Sequence, residues 1–200
     1  MGIEDIAEVV GLQRACFPAP FPEALLWQPT HLTAHLERFP AGQFVAIGPT
    51  GEVLASASAS RIAEALWLAH ADWDTTLGGP TFSTFDGQGS TLYGADISVH
   101  PDWRGQGIAR QLYQARFRLM RELGLTRYGT ACRLPGCAAW VQAEPGRANA
   151  DYVTQVGLGQ ISDRTLTSLL SMGCQVVGVI DQYMEDAESR DAAALLEWKP

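Results

Sequence analysis

Apolar residues recur at helical spacing through Ile108, Leu112, Ala115, Leu119 and Leu123, while Arg110, Gln114, Arg118 and Arg121 fall largely on other faces; an amphipathic helix is predicted. Just before it, residues 92–99 form a short run that is β-branched or aromatic at several positions. Pro101 closes this run, because proline cannot continue a sheet ladder, and the run reads as a strand. Near the start of the chain, Ile6, Val9, Val10 and Gln13 are spaced for a helix over residues 4–16, which stops before Phe17-Pro18-Ala19-Pro20. A second helix is predicted over 30–38. Strands over 43–47 and 52–61, joined by Gly48-Pro49-Thr50-Gly51, make a hairpin. Beyond the central helix the pattern predicts a strand over 127–132 and a short helix around 151–156. It continues with a helix from Asp163 to Met172 ended by Gly173, an apolar strand over 175–180 and a last strand over 192–198. Residues 63–90 are a long connection carrying Trp67, Trp73, Phe82 and Phe85 beside Asp72, Asp74 and Asp86. Aromatic content argues against disorder, and the segment reads either as the wall of a pocket or as a flap packed on the sheet. With no repeat and no low-complexity linker, a single domain over 1–200 is expected.

The junction of strand and central helix carries the chemistry. It reads Val99-His100-Pro101-Asp102-Trp103-Arg104-Gly105-Gln106-Gly107-Ile108-Ala109-Arg110. Gly105 and Gly107 let the backbone turn its N–H groups inward with no Cβ in the way, the helix start adds partial positive charge, and Arg104 adds a full one, so the turn suits an anion such as a pyrophosphate. A dinucleotide-binding fingerprint is the rival reading, but there the strand runs straight into the glycines, and His100-Pro101-Asp102-Trp103 intervenes. An isolated Gly-x-Gly can also be a plain tight connection.

The order Arg104-Gly105-Gln106-Gly107-Ile108-Ala109 resembles the R/Q-x-x-G-x-G/A signature of the Gcn5-related N-acetyltransferases (GNAT). The match extends through Leu92 to Val99 on one side, and through Leu112-Tyr113-Gln114-Ala115-Arg116 and Arg133-Leu134-Pro135-Gly136 on the other. This longer pattern is similar to the acetyltransferase domain that some bacterial proteins carry ahead of a carbon–nitrogen hydrolase domain. It covers residues 43–200, most closely 91–136 and 163–180, and no hydrolase segment follows Pro200 in this sequence. The resemblance implies an α/β (α+β) fold with a central, mixed, mostly antiparallel twisted sheet flanked by helices. It implies acetyl-CoA as co-substrate and no metal. Backbone groups of Ile97 and Val99 would pair with the pantetheine arm like an added strand, Arg104, Gly105, Gln106, Gly107, Ile108 and Ala109 would enclose the pyrophosphate, and an N–H near Val99 would face the thioester oxygen. One departure is that the family opens with a strand before its first helix, whereas this chain starts too late for more than a remnant.

Acyl transfer to an amine also needs the amine deprotonated, and an alkylammonium with a pKa of about 10.4 is neutral only about once in a thousand molecules at pH 7. Asp96, three residues before Val99 and near where the strands of such folds splay, is the candidate base; a structural carboxylate bonded to its neighbours is the other reading. His100 resembles a turn residue leaving the strand. The family's usual proton donor to the leaving thiolate is a tyrosine. Aligning Gly173 puts Leu169 at that position, Cys174 where a phenylalanine is usual and Ser162 where an asparagine often sits. Coenzyme A leaving as the thiolate, another hydroxyl such as Tyr152, and loss of activity are the three explanations. The expected function is N-acetylation of a small-molecule primary amine by direct attack in a ternary complex. The alternatives are a non-catalytic acyl-CoA-binding regulatory module and a protein N-acetyltransferase.

Charge narrows the partners. A net charge of −8 argues against nucleic acid and anionic membranes, yet residues 104–133 hold seven arginines against the single acid Glu122, which fits a polyanionic small molecule; Arg118 and Arg121 are read as solvated. Cys16, Cys132, Cys137 and Cys174 lack metal-site spacing and read as reduced thiols of a cytoplasmic protein, with Cys132/Cys137 the one pair worth testing for a disulfide. The N-terminus lacks the pattern of an export signal, no apolar run reaches membrane-spanning length, and exposed strand edges leave room for a homodimer.

Overall fold

The computed structural model describes residues 1–19, 21–144 and 146–200; Pro20, part of the run predicted to stop the first helix, lies outside them. The strands are β1 (Gln43–Ile47), β2 (Val53–Ile62), β3 (Thr91–Val99), β4 (Arg127–Arg133), β5 (Gln175–Ile180) and β6 (Ala193–Trp198). They form one sheet in the order β1-β2-β3-β4-β6-β5, in which only β3 and β4 run parallel, so the mixed and mostly antiparallel sheet expected from the resemblance is present. The helices are α1 (Ile6–Cys16), α2 (Pro29–Arg38), α3 (Glu64–Ala69), α4 (Trp73–Leu77), α5 (Ile108–Glu122), α6 (Cys137–Gln142), α7 (Asn149–Gly157) and α8 (Leu166–Ser171). Those that the hydrophobic period did not reveal, α3, α4 and α6, are six residues long or fewer, too short for a 3.6-residue repeat to register. No strand precedes α1 among the described residues; the sheet edge is β1, whose Gln43 carbonyl accepts from the Met1 ammonium at 3.2 Å.

Two cores cover the sheet. On one face Tyr113, Phe117 and Met120 of α5 pack with Tyr128 of β4 and with Leu166 and Leu169 of α8. On the other, Val9 and Leu12 of α1 and Leu32 of α2 pack with Trp27, Trp67, Leu77 and Phe82. The 63–90 connection is therefore mainly a flap: Trp67 and Phe82 are buried, Phe85 stacks on Phe39 at 5.4 Å, and Asp72 caps α4 through the Thr75 N–H at 2.7 Å. Only Trp73 of its aromatics reaches the cleft described below. His35 lies wholly inside this core, stacked on Phe82 at 3.7 Å and edge-on to Trp27 at 4.9 Å. Its Nε2 donates to the Pro80 carbonyl at 2.8 Å, and burial pushes its pKa down to about 4. All four cysteine thiols are free, and Cys132 and Cys137 are not joined.

One feature of the sheet creates the site. Ser58 pairs with Asp96 and Ala59 with Gly94, leaving Ala95 as an extra residue, a bulge in β3. The parallel pairing of β3 with β4 ends at Gly94 and Thr130, and beyond it the two strands part. Gly94 is needed at this fork because a Cβ there would run into Tyr128 Oη and crowd Arg116. Gly94→Ala is accordingly expected to cost roughly 1–3 kcal/mol, the penalty of overpacking a filled core, measured as a lowered urea midpoint at unchanged slope.

Candidate active site

Where β3 and β4 separate, a cleft of about 600 Å³ opens between them. The N–H of His100 donates across to Leu54 O at 2.9 Å, so strand alternation turns the N–H and C=O of Val99, and of Ile97 two residues earlier, toward the split. The Val99 carbonyl there accepts from Cys16 Sγ at 3.2 Å and from Arg104 Nε at 3.1 Å.

At the mouth, Gly105 and Gly107 hold φ values of 76° and 80°, in the left-handed region that L side chains avoid. Gly107 is the N-cap of α5 and offers no side-chain cap, so the first-turn N–H groups are left for an external acceptor. Gly105, Gly107, Ile108, Ala109 and Arg110 all lie on the cleft wall, whereas Gln106 is exposed on the outside of the turn. Arg104 also borders the cleft, but its guanidinium folds back: besides Val99 O it donates from Nη2 to Cys16 O at 3.4 Å, tying the end of α1 to the end of β3.

The local excess of arginine is not one basic face. Arg116 is buried, with 1% of its surface exposed; Arg127 pairs with Glu64 at 2.6 Å; and Arg133 makes a bidentate pair with Asp186 at 2.6 and 2.7 Å. The reading of this basic segment as a footprint for a polyanion, with Arg118 and Arg121 set aside as solvated, is thus narrowed further. Adjacency along the chain does not imply a shared face once a helix and a strand separate the charges; of the seven, Arg104, Arg110, Arg116 and Arg133 border the cleft, and of these Arg116 is buried and Arg133 is paired with Asp186. Arg118 and Arg121 are exposed as expected.

Asp96 sits on the cleft wall half-buried. Its Oδ2 accepts from Gln13 Nε2 at 3.0 Å, and Gln13 Nε2 also lies 2.7 Å from Ser98 Oγ. Burial pushes its pKa up to about 6, against the pull of the Arg116 charge, the Trp27 indole N–H, Ser98 and Gln13. Trp27 Nε1 has no hydrogen-bond partner within distance, so its effect on Asp96 is that of a nearby dipole. Both sequence readings of Asp96 meet here, since the carboxylate is braced by α1 and also faces the open space.

Other expectations are sorted by position. His100 Nδ1 accepts from the Asp102 N–H at 3.3 Å, as a turn residue would. Tyr152 is excluded as a proton donor because it is buried away from the cleft, and its hydroxyl is committed to Asp163 Oδ2 at 2.8 Å. Leu169 is fully buried, and the side of α8 that borders the cleft carries Thr165 and Ser168. Sequence reasoning missed Trp27 and Tyr183, which line the cleft from distant segments; Tyr183 is held by Tyr93 at 2.9 Å. Gln13 it placed on the buried face of α1 without a role. Phe17, Phe21 and Met184 complete the outer wall. Among the described residues there is no cluster of three or more His, Cys, Asp or Glu able to hold a metal, and no helix is long and apolar enough to cross a membrane.

Comparison with known proteins agrees with this geometry. Residues 6–140 match the family model described as Acetyltransferase (GNAT) family. The chain is 31% identical over 195 residues to the uncharacterized N-acetyltransferase YkwB of Bacillus subtilis (strain 168), covering 98% of this chain and 84% of that protein. It is 32% identical over 196 residues to the probable hydrolase YhcX of the same organism, again over 98% of this chain but only 37% of that longer protein. In three dimensions it superposes on the GphF GNAT-like decarboxylase in complex with isobutyryl-CoA with a TM-score of 0.83, at 24% identity, over 100% of this chain and 96% of the other.

Proposed function

Because this chain belongs to the GNAT acetyltransferase family, we propose that it transfers an acetyl group from acetyl-CoA to the primary amine of a small molecule, by direct attack within a ternary complex. The observation that carries this reading is the coincidence in one cleft of a split sheet edge, an uncapped helix start behind two left-handed glycines, and a half-buried carboxylate.

In this reading the thioester arm lies along the inward edge of Ile97 and Val99 as an added strand. Residues 104–109 hold the pyrophosphate through main-chain N–H groups, with Gln106 contributing backbone alone. The Val99 N–H faces the thioester oxygen and stabilises the negative charge that develops there. Asp96 receives the proton of the attacking amine. A base near 6 is better matched to neutral pH than an ordinary carboxylate, and positioned proton transfer contributes roughly 10²–10⁴-fold. Since Leu169 has no proton to give, coenzyme A leaves as the thiolate, tolerable for a thiol with a pKa of about 8.5. Phe17, Phe21, Trp73 and Met184 wall the acceptor side, which favours a small acceptor over a folded protein. The four free thiols fit work in a reducing cytoplasm.

The likeness to a GNAT-like decarboxylase, together with the absent tyrosine, supports a second reading: loss of CO2 from a carboxyacyl-CoA in the same cleft. Calorimetry with acetyl-CoA and thiol release with a panel of small primary amines separate the outcomes. Acetyl transfer requires binding, with affinity at least roughly 10-fold weaker in Arg104→Glu, and turnover that falls about 10²–10⁴-fold in Asp96→Asn. Binding without turnover on any amine would leave a binding module, and CO2 release from an added carboxyacyl-CoA, with a proton taking the place of the lost carboxyl and the thioester left intact, would establish the decarboxylase.

A further inference from the structure

We propose that Arg116 is the positioning residue of this site: from the middle of α5 it pins the β3 bulge that opens the sheet, and its charge is the one set against the Asp96 carboxylate. The guanidinium is almost wholly buried, yet among the described residues no carboxylate lies within ion-pairing distance of it. Its Nη2 donates to two backbone carbonyls, Ser58 O at 2.6 Å and Asp96 O, and its Nη1 donates to Tyr128 Oη at 3.3 Å. Those two carbonyls belong to the residue pair that closes the bulge at Ala95, on the cleft side of the point where β3 and β4 part.

A planar fork suits this place. One guanidinium spans carbonyls from adjacent strands and a tyrosine hydroxyl at fixed angles, which an ammonium, a point charge with rotatable donors, does not reproduce. The bulge turns the backbone so that Asp96 faces the cleft while Ala95 O accepts from Trp73 Nε1 at 3.4 Å. The same cation also does electrostatic work. A buried guanidinium bonded only to neutral groups is costly unless a negative charge stands near, and Asp96 is that charge. The groups that bear on the Asp96 carboxyl are Gln13 and Cys16 from α1, Ser98 from β3, Trp27 from the segment ahead of α2, and Arg116 from α5. Burial holds the Cys16 thiol in its neutral form, so of these Arg116 alone carries a charge at neutral pH.

The functional consequence rests on the proposed role of Asp96, but the test reads the pairing without any substrate. Urea unfolding of the full chain is compared at pH 5 and pH 7.5 for wild type, Arg116→Met and Arg116→Lys. Carbon-13 NMR of labelled aspartate follows the Asp96 carboxyl, assigned by its disappearance in Asp96→Asn. In Arg116→Met the Asp96 midpoint is expected to rise by about one pH unit or more, because the one opposing charge is gone. The stability deficit of that variant is larger at pH 7.5, where Asp96 is left ionised and uncompensated, than at pH 5, where it is protonated. Arg116→Lys keeps the charge and holds the midpoint within about half a unit of wild type. If Arg116→Met does not fold at pH 7.5, the pairing requires that it fold at pH 5. An equal deficit at both pH values, an unmoved midpoint, or failure to fold at either pH would overturn the proposal and reduce Arg116 to a packing residue. Acetyl-CoA calorimetry and thiol release judge the proposed reaction separately.

Discussion

Gly107→Val is expected to lower acetyl-CoA affinity by roughly 100-fold or more while leaving the protein folded. The arithmetic starts from the backbone. Gly107 holds a φ of 80° at the first position of a helix start that no side chain caps, and a β-branched residue there is a genuine outlier, strained by roughly 1–2 kcal/mol. The turn is exposed, so it can relieve that strain by rotating its peptide planes, and global stability falls by no more than the strain itself. Rotation re-aims the N–H groups of residues 107–109 away from the pyrophosphate. Each charge-assisted bond to a phosphate oxygen is worth about 1.5–3 kcal/mol, so losing two amounts to at least about 3 kcal/mol, beyond 100-fold in dissociation constant. Calorimetry gives the affinity and a thermal melt confirms the fold. A folded Gly107→Val protein with wild-type affinity would mean that the ligand is anchored elsewhere and that the assignment of the turn is wrong.

The second large effect lies in the pH dependence of stability, where a buried histidine and a half-buried carboxylate oppose each other. His35 has a folded pKa of about 4 against about 6.5 when exposed, so between those values the unfolded chain binds a proton that the folded protein does not. Its contribution is present above about pH 6.5 and is lost as pH falls toward 4, a drop on the order of 3 kcal/mol. Asp96 has the opposite sign. Its folded pKa of about 6 exceeds the unfolded value, so the folded protein binds the extra proton and gains stability as pH falls from about 6 to 4. Asp96 is open to solvent on its cleft side, so its gain is the smaller of the two, on the order of 2 kcal/mol. In wild type the two largely cancel across this window. Asp96→Asn removes the offset: the variant should be more stable than wild type at pH 7.5 and lose stability steeply from pH 6.5 to 4. His35→Leu should do the reverse, gaining stability on mild acidification. Urea unfolding free energies at four pH values test both, and parallel curves for wild type and Asp96→Asn would show that Asp96 is not held at a raised pKa. The same comparison explains why a group suited to proton transfer is retained at a cost in stability, since the burial that raises its pKa also makes its charge expensive.

Several of the groups in these predictions left a mark in the sequence without revealing their use. Arg116 stands in phase with Leu112, Leu119 and Met120, and Gln13 and His35 likewise fall in the apolar phase of their helices. A polar residue in an apolar stripe signals burial and an obligatory partner. The partner itself is invisible, because Ser58, Asp96 and Pro80 lie on other elements at distances along the chain that no period encodes. Counting Arg116 with its exposed neighbours as one basic patch was the error that followed.

The strand over 91–99, the glycine turn and the start of α5 were legible from consecutive residues, since left-handed φ values, an uncapped helix start and the switch from a two-residue to a 3.6-residue period are local properties. The eight residues assigned to the cofactor by resemblance therefore fall around one cleft, apart from the outward-facing Gln106, and Asp96 lies on the same wall. Tertiary structure alone decided where β3 and β4 part, which of the arginines face solvent, salt partners or backbone carbonyls, that Trp27 and Gln13 flank Asp96, and that Tyr183 lines the same cleft. Those outcomes depend on the register between strands and the packing of helices across a sheet. Both are set by contacts between residues far apart in the chain, whose free energies exist only once the whole core has closed.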